Sequence, residues 1–465
     1  MKDLTRDMTS GNAVKHILLF SLPALIGNIF QQIYNLADSI IVGRIVGADA
    51  LAAVGASGSI TFLFFALCNG IGSGGGIIAS QYYGAHDEGK VKNCIVNTGL
   101  IMLLVPVIFG TIGFICAPAL LSLLSTPADI IADATMYVRF MCFGLLFVSM
   151  YNYIASMLRA LGDSVSPLIF LIVSTVINIV LDLLFIYNLN MGIKGAAIAT
   201  VIAQFASVVG SGIYAIKMNS YFKLKKEDFV ISSSMISKVI KLGVPMSLQF
   251  ALIAVSTMAL QRVVNAYGTV VVAAFTATSR IEQIVHQPYQ TLCASLATFC
   301  GQNYGANKKD RVLDGHRKGM IIMVIISLVM LAVMQLFGKA LTGLFVSDPE
   351  VIRLGAMGLK VTSLFYVLLG TIYVVRGTLT GVGDAFFALF NGVIEVIGRF
   401  VFPIVLTSLL GMGVNGIWLS TGFVWAISGV TAWMRYYARL HNDRSEVNEL
   451  PEKILGRHQK KVITH

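Results

Sequence analysis

The chain has 465 residues, 56% of them hydrophobic and only 12% charged, with a formal net charge of +11. Soluble globular proteins carry about 25% charged residues, so this composition excludes a soluble enzyme. The positive charge is concentrated in particular loops and in the tail, which argues against a nucleic-acid-binding surface.

Roughly 20 helical residues cross a hydrocarbon core of about 30 Å, and apolar runs of that length recur along the whole chain. Twelve spans are predicted, over residues 17–43, 51–80, 94–124, 136–158, 168–187, 193–216, 242–264, 270–300, 320–344, 354–379, 386–410 and 414–433. Several exceed the minimum length, so tilted or kinked helices are expected. The first run is too long for a signal-peptide core and lacks a small-residue cleavage site, so the N-terminus is expected to be retained. Cys68, Cys94, Cys116, Cys142, Cys293 and Cys300 lie in or beside spans with no C-x-x-C pair. They read as packing residues rather than disulfide or zinc ligands.

With this count the basic clusters all fall on one side. Lys223, Lys225 and Lys226 mark the middle connection, Lys308, Lys309 and Arg311 follow the eighth span, and the last basic group begins at Arg435. Because cytoplasmic loops are enriched in Lys and Arg, both termini are expected to be cytoplasmic.

The chain repeats itself. Gln81-Tyr82-Tyr83-Gly84-Ala85 returns as Gln302-Asn303-Tyr304-Gly305-Ala306, Gly162-Asp163 as Gly383-Asp384, and Gly192 with Gly195 as Gly413 with Gly416, each 221 residues on. Leu22-Pro23 matches Val244-Pro245 at 222. Three separated matches in one register mark a duplicated unit. Six spans per unit is an even number, so the halves are parallel repeats about an axis along the membrane normal, with a substrate path expected between them. The predicted fold is an all-α integral membrane protein of twelve transmembrane helices in two pseudo-symmetric six-helix lobes. The lobes are residues 1–217 and 237–440, joined by a cytoplasmic linker, 218–236, and followed by a cytoplasmic tail, 441–465.

Of 23 acidic residues, only Asp38, Asp182, Glu282 and Glu395 fall well inside predicted spans. A carboxylate at helix centre costs about 2.5–3.5 kcal/mol on insertion scales, so such residues usually face a cavity and serve a function. Asp38 comes late in span 1, Asp182 near the far end of span 5, and Thr200 roughly two turns into span 6; these positions share one layer. Asn178 precedes Asp182 by four residues and shares its helical face. Asp38, Asn178, Asp182 and Thr200 form an all-oxygen set suited to Na⁺, or a carboxylate pair able to hold a proton. The alternative is a polar network that only locks spans 1, 5 and 6 together.

In the second unit Glu282 and His286 share a face of span 8, and Glu395 and Arg399 share a face of span 11, each pair four residues apart. An internal ion pair and a substrate contact explain Glu395 with Arg399 equally well. Gly70-x-Gly72-x-x-Gly75 matches a dinucleotide-binding pattern, but it lies in an apolar span with no preceding strand and reads as close helix packing. No assembled catalytic set is present, so the protein is not expected to be an enzyme.

Across essentially its whole length the chain resembles the multidrug and toxic compound extrusion (MATE) family, in the bacterial branch containing DinF-like and MepA-like pumps. The resemblance rests on Pro23 with Asn35-Leu36-Ala37-Asp38, the Gln81–Ala85 and Gln302–Ala306 loops, Arg159-Ala160-Leu161-Gly162-Asp163, the Asn178/Asp182 pair and Gly195-Ala196-Ala197-Ile198-Ala199-Thr200. It implies that Asp38, Asn178, Asp182 and Thr200 hold the coupling Na⁺ or H⁺ in the N-terminal lobe. It also implies that Gln31, Tyr34 and Asn152 line a substrate cavity, to which Glu282, Glu395 and Arg399 are added from the second lobe. The NorM-like branch has a glutamate early in its seventh span, whereas residues 245–254 here hold no acid. Coupling is therefore expected in the N-terminal lobe.

The implied activity is antiport across the bacterial inner (plasma) membrane, in which Na⁺ or H⁺ enters and an amphipathic, often cationic, organic compound leaves. No cofactor is implied. The expected partners are the small-molecule substrate and membrane lipid, with the protein acting as a monomer. Pro23 would let span 1 bend as Asp38 is protonated. The competing reading is a lipid-linked oligosaccharide flippase of the same superfamily, but its anionic head groups call for several cavity Arg or Lys residues. Here the embedded basic residues read as only Arg139, Arg280, Lys360 and Arg399, some of them near span ends.

Overall fold

The computed structural model describes residues 4–124 and 126–440, so the expected tail at 441–465 lies outside the described residues. The first unit folds as α1 (Ala13–Ile41), α2 (Ala48–Gly84), α3 (Glu88–Leu123), α4 (Ala128–Ala160), α5 (Val165–Asp182) and α6 (Gly192–Met218). The second folds as α7 (Ser233–Asn265), α8 (Thr269–Gly305), α9 (Lys309–Gly343), α10 (Pro349–Ser363), α11 (Tyr366–Gly381), α12 (Phe386–Ile404) and α13 (Val414–Leu440). Ten of these helices are long and apolar enough to cross a membrane, and α10 with α11, bent by 53° at their junction, form an eleventh candidate. The twelfth span is α8, which is 37 residues long but more polar than the others. The span predicted at 354–379 as one run is thus a broken helix.

Helix ends follow the local chemistry. Asp87 caps α3 by accepting from Lys90 N at 3.0 Å. Asp348 caps α10 by accepting from the amides of Glu350 and Val351, with Pro349 in the first turn, where its missing N–H costs nothing. The repeated Gly-Asp pair makes the same turn in both lobes: Gly162 and Gly383 have φ of +86° and +94°, a conformation that strains any residue with a β-carbon.

Burial is inverted relative to a soluble protein. On α5 the polar Ser174, Asn178 and Asp182 are buried, while Val173, Val176 and Val180 are exposed. Hydrocarbon is the solvent for that apolar face, and the polar stripe must find partners inside the lobe.

The lobes meet at the end where residues 4 and 440 lie, termed the basal end. Helices pack there through small residues: a β-carbon on Gly70 would strike Ser247, and one on Gly74 would strike Gly243. The repeated loops face each other across the seam. Gly84 lies against the carbonyl of Gln302, and Gly305 against that of Gln81. Gln81 Nε2 donates to Gly381 O at 2.8 Å, and Gln302 Nε2 to Ala160 O at 2.9 Å. Both acceptors are also 221 residues apart, so the repeated glutamines are a reciprocal staple between lobes. The Gly70–Gly75 run, likewise, is helix packing.

The bases of the first helix of each unit are exchanged. Met8, Ala13, Ile17 and Phe20 are part of the core formed by α8, α9 and α11, while Met235 and Val239 of α7 belong to the first lobe's core. Ser295 Oγ on α8 donates to Ile17 O at 3.0 Å.

Candidate functional site

The polar stripe of α5 faces the apical part of α1. Asp38 lies near the end of α1, and Asp182 is the last α-helical residue of α5; each is followed by a π-helical turn, Val42–Val46 and Leu183–Asn188. An inserted π turn re-aims the side chains around it and is frequent at functional sites. The second unit has a π turn at Val405–Leu409, 222 residues after that of α5.

The Asp38 and Asp182 carboxyl groups are close neighbours that interact with each other. Two carboxylates buried side by side repel each other unless a proton or a cation is held between them. Asn178, one turn earlier, is oriented with Nδ2 donating to Asp182 Oδ2 at 3.2 Å and to the Tyr34 hydroxyl at 2.9 Å, while its Oδ1 accepts from Thr200 N at 3.1 Å. Tyr34 also lies beside the Thr200 side chain, whose hydroxyl donates to Ala196 O at 3.0 Å. The structure therefore brings together Tyr34, Asp38, Asn178, Asp182 and Thr200. Oδ1 of Asp38 and Oδ1 of Asp182 are buried with no hydrogen-bond partner among the described residues. In a fully satisfied structural lock these acceptors would be paired.

One further group faces this cluster. Tyr137 of α4 is buried beside Asp38, Tyr34 and Asp182 and interacts electrostatically with all three. A tyrosine within an apolar run carries no spacing signal, so only the packing of α4 against α6 exposes its place. Gln31 sits on α1 one turn from Tyr34 and is partly buried. Asn152 is elsewhere: it lies on α4 about 22 Å along the axis from Tyr137, and its Nδ2 donates to Val148 O in its own helix at 3.0 Å.

The second lobe is built differently. Glu282 lies beside Thr362 and feels the charge of Arg399. His286 meets Tyr373 and Trp425 edge-on, with ring centroids 6.2 and 5.9 Å away. Thr362 and Tyr366 flank the α10–α11 break, so Glu282 lies where the broken span loosens its backbone bonds. Arg399 Nη1 donates to Thr257 Oγ1 at 3.3 Å.

Glu395 is partnered by Arg376, not by Arg399 on its own helix. Arg376 Nη2 reaches Glu395 Oε1 at 3.3 Å and Asn391 Oδ1 at 3.0 Å. Gln249 Oε1 of α7 accepts from Arg376 Nη1 at 2.7 Å and Nε at 3.0 Å. This is a closed, mutually satisfied network joining α7, α11 and α12. Arg376 also corrects the count of embedded basic residues; its charge is balanced by Glu395, so it adds no free cation to the seam.

A family model described as MatE matches the chain twice, over residues 23–184 and 245–405. The "Probable multidrug resistance protein YpnP" of Bacillus subtilis is 33% identical over 92% of this chain and 96% of its own length. The "Multidrug export protein MepA" of Staphylococcus aureus is 24% identical over 94% of this chain and 96% of its own. A solved structure titled as the outward-facing conformation of a multidrug resistance MATE family transporter has the same fold, with a TM-score of 0.89 at 23% identity over 95% of this chain and 98% of that one. Structures described as MATE in bent and in straight conformations both give 0.88, covering 93% and 95% of this chain and 96% and 98% of theirs.

Proposed function

The chain belongs to the MatE family, and from that premise we propose that it is a secondary multidrug antiporter of the bacterial plasma membrane, exporting amphipathic, often cationic, organic compounds in exchange for H⁺ or Na⁺. The observation that carries the coupling is the pairing of the Asp38 and Asp182 carboxyl groups inside the lobe, ringed by Tyr34, Asn178 and Thr200. Two carboxyl groups paired in a buried site match a shared proton; Na⁺ would call for the Asn178 oxygen, whereas Asn178 turns its Nδ2 toward Asp182. H⁺ is therefore the favoured ion, and Na⁺ the alternative for the same five residues. The coupling ion is cargo, and no resident cofactor enters the scheme.

The mechanism follows from what the chain's own groups do. Asp38 is carried by α1, whose base is packed in the second lobe, whereas Asp182 belongs wholly to the first. Loading or unloading the carboxyl pair therefore changes the attraction between the apical part of α1 and α5. Pro23, which lacks the N–H for one helical bond, lies between that part and the base of α1. With the basal end cytoplasmic, as the basic loops there indicate, the lobes present the seam outward in this state. The Glu282 region of the second lobe and Gln31 of α1 line the path offered to the organic compound.

The test is efflux of a fluorescent organic cation from proteoliposomes with pH and Na⁺ gradients imposed separately. The reading expects efflux to follow the pH gradient and to be indifferent to Na⁺. Transport under neither gradient removes secondary antiport. Transport under Na⁺ alone replaces the shared proton with a bound cation at the same site.

A further inference from the structure

The chain ahead of α1 lies across the basal seam. Arg6 N donates to Leu161 O of the first lobe's α4–α5 turn at 3.0 Å, and Gly162 sits so close beneath the Arg6 carbonyl that a β-carbon there would collide with it. From Met8 onward the segment's bonds to other elements go to the second lobe. Met8 N donates to Gln302 Oε1 at 2.8 Å. Met8 O accepts from Asn303 Nδ2 at 3.1 Å and Arg311 Nη2 at 3.0 Å. Lys308 Nζ donates to Thr9 O at 2.9 Å, and Arg311 reaches the carbonyls of Ser10 and Gly11 at 3.2 and 3.0 Å. The Met8 side chain is fully buried in the second lobe's core.

We propose that residues 6–11 are a clasp that holds the basal end shut, remains with the second lobe, and parts from the first lobe at Leu161–Gly162 each time that end opens. This rests on the alternating-access reading above. The direction of parting follows from unequal anchorage: one backbone bond, one close approach and the proximity of His86 to Asp7 face the first lobe, while Arg311 and Lys308 grip four successive carbonyls, Met8 to Gly11, on the other side. Arg311 is itself pre-organised, with Nε donating to Asn303 Oδ1 at 2.9 Å and the guanidinium over the Phe299 ring at 5.7 Å.

The repeat supplies a comparison. The corresponding segment before α7 also docks on the opposite lobe, where Asn93 and Asn97 donate to Val230 O and Asn97 Oδ1 accepts from Ser232 N. That segment is continuous with α6 and cannot detach from the first lobe. The chain ahead of α1 leads instead into the base of α1, which is itself packed in the second lobe's core, so it is the one that can let go of the first lobe's turn.

Spin labels on Gly89→Cys of α3 and Arg317→Cys of α9, in a full-length cysteine-free background in lipid nanodiscs, report the basal separation without any transport assay. Arg311→Ala removes the carbonyl-binding fork, and Gly162→Val pushes the clasp off the first lobe from the other side. Each is expected to raise the ratio of long to short basal distances by about tenfold, the scale of losing a charged hydrogen bond. Arg435→Ala, at the same end but bonded to Asp384, should leave the ratio unchanged. If both clasp variants match the unaltered protein while that protein still samples long distances as pH is varied, the clasp is refuted and alternating access stands. If the unaltered protein never shows the long distance, alternating access fails and takes the clasp with it.

Discussion

Asp38 and Asp182 act as one unit, because their carboxyl groups are interacting neighbours and Asn178 bridges Asp182 to Tyr34. Asp38→Asn keeps the shape and removes the proton-binding group, so gradient-driven efflux should fall to the uncoupled background while chromatographic behaviour and helicity are unchanged. Normal coupled efflux from a well-folded Asp38→Asn protein would end the assignment. Asp182→Asn and Asn178→Ala should impair the same step, so the double variant loses little beyond the worse single one. Additive losses in a double-mutant cycle would separate their roles. Glu395→Ala, by contrast, leaves Arg376 with its charge uncompensated in a buried site, a cost of about 3–5 kcal/mol. Its expected signature is a lowered melting temperature with the ion dependence of the remaining efflux intact. The Asn178/Asp182 pair was legible in the sequence because both lie on one helix at a spacing of four. The Glu395–Arg376 pair was not, since its members stand 19 residues apart on neighbouring helices, and the same spacing rule pointed to Arg399. Tyr137 gave no signal at all, because a buried aromatic looks the same whether it faces a carboxylate or a leucine.

Helices carry their own record of what the sequence could express. Span lengths and the order of twelve were readable from hydropathy, but the break between α10 and α11 was not, for no proline or glycine marks residues 364–365. The polar character of α8 lowered its apolar signal for the same reason that Glu282 and His286 matter: that helix faces the seam rather than lipid. Gly84 and Gly305 close that seam backbone to backbone. Gly84→Val places a side chain against the Gln302 carbonyl, an atom that cannot rotate away. The expected outcome is a molecule unable to seal its basal end, with transport abolished and basal cysteines reactive from the cytoplasmic side. Unimpaired transport by Gly84→Val would show that the close approach is dispensable.

The duplicated unit was visible as matched residues 221 apart, and the family model finds it independently as two matched segments. What the repeat could not reveal was the exchange of helix bases, since similarity between units says nothing of which unit each one leans upon. The exchange predicts that the lobes stay together without their linker. A protease site inserted between Lys223 and Lys226, both exposed, should yield two fragments that co-elute from a sizing column in mild detergent; separate elution would contradict the mutual packing. The same feature orders events during synthesis. When the ribosome has made only the first half, Met8, Ile17 and Phe20 have no surface to enter, because that surface is contributed by residues between Ile281 and Trp425. Helix α1, inserted ahead of the helices it packs on, is thus among the last of them to reach its final place, and a nascent chain stalled after α6 presents an unfinished groove-seeking helix to the insertion machinery.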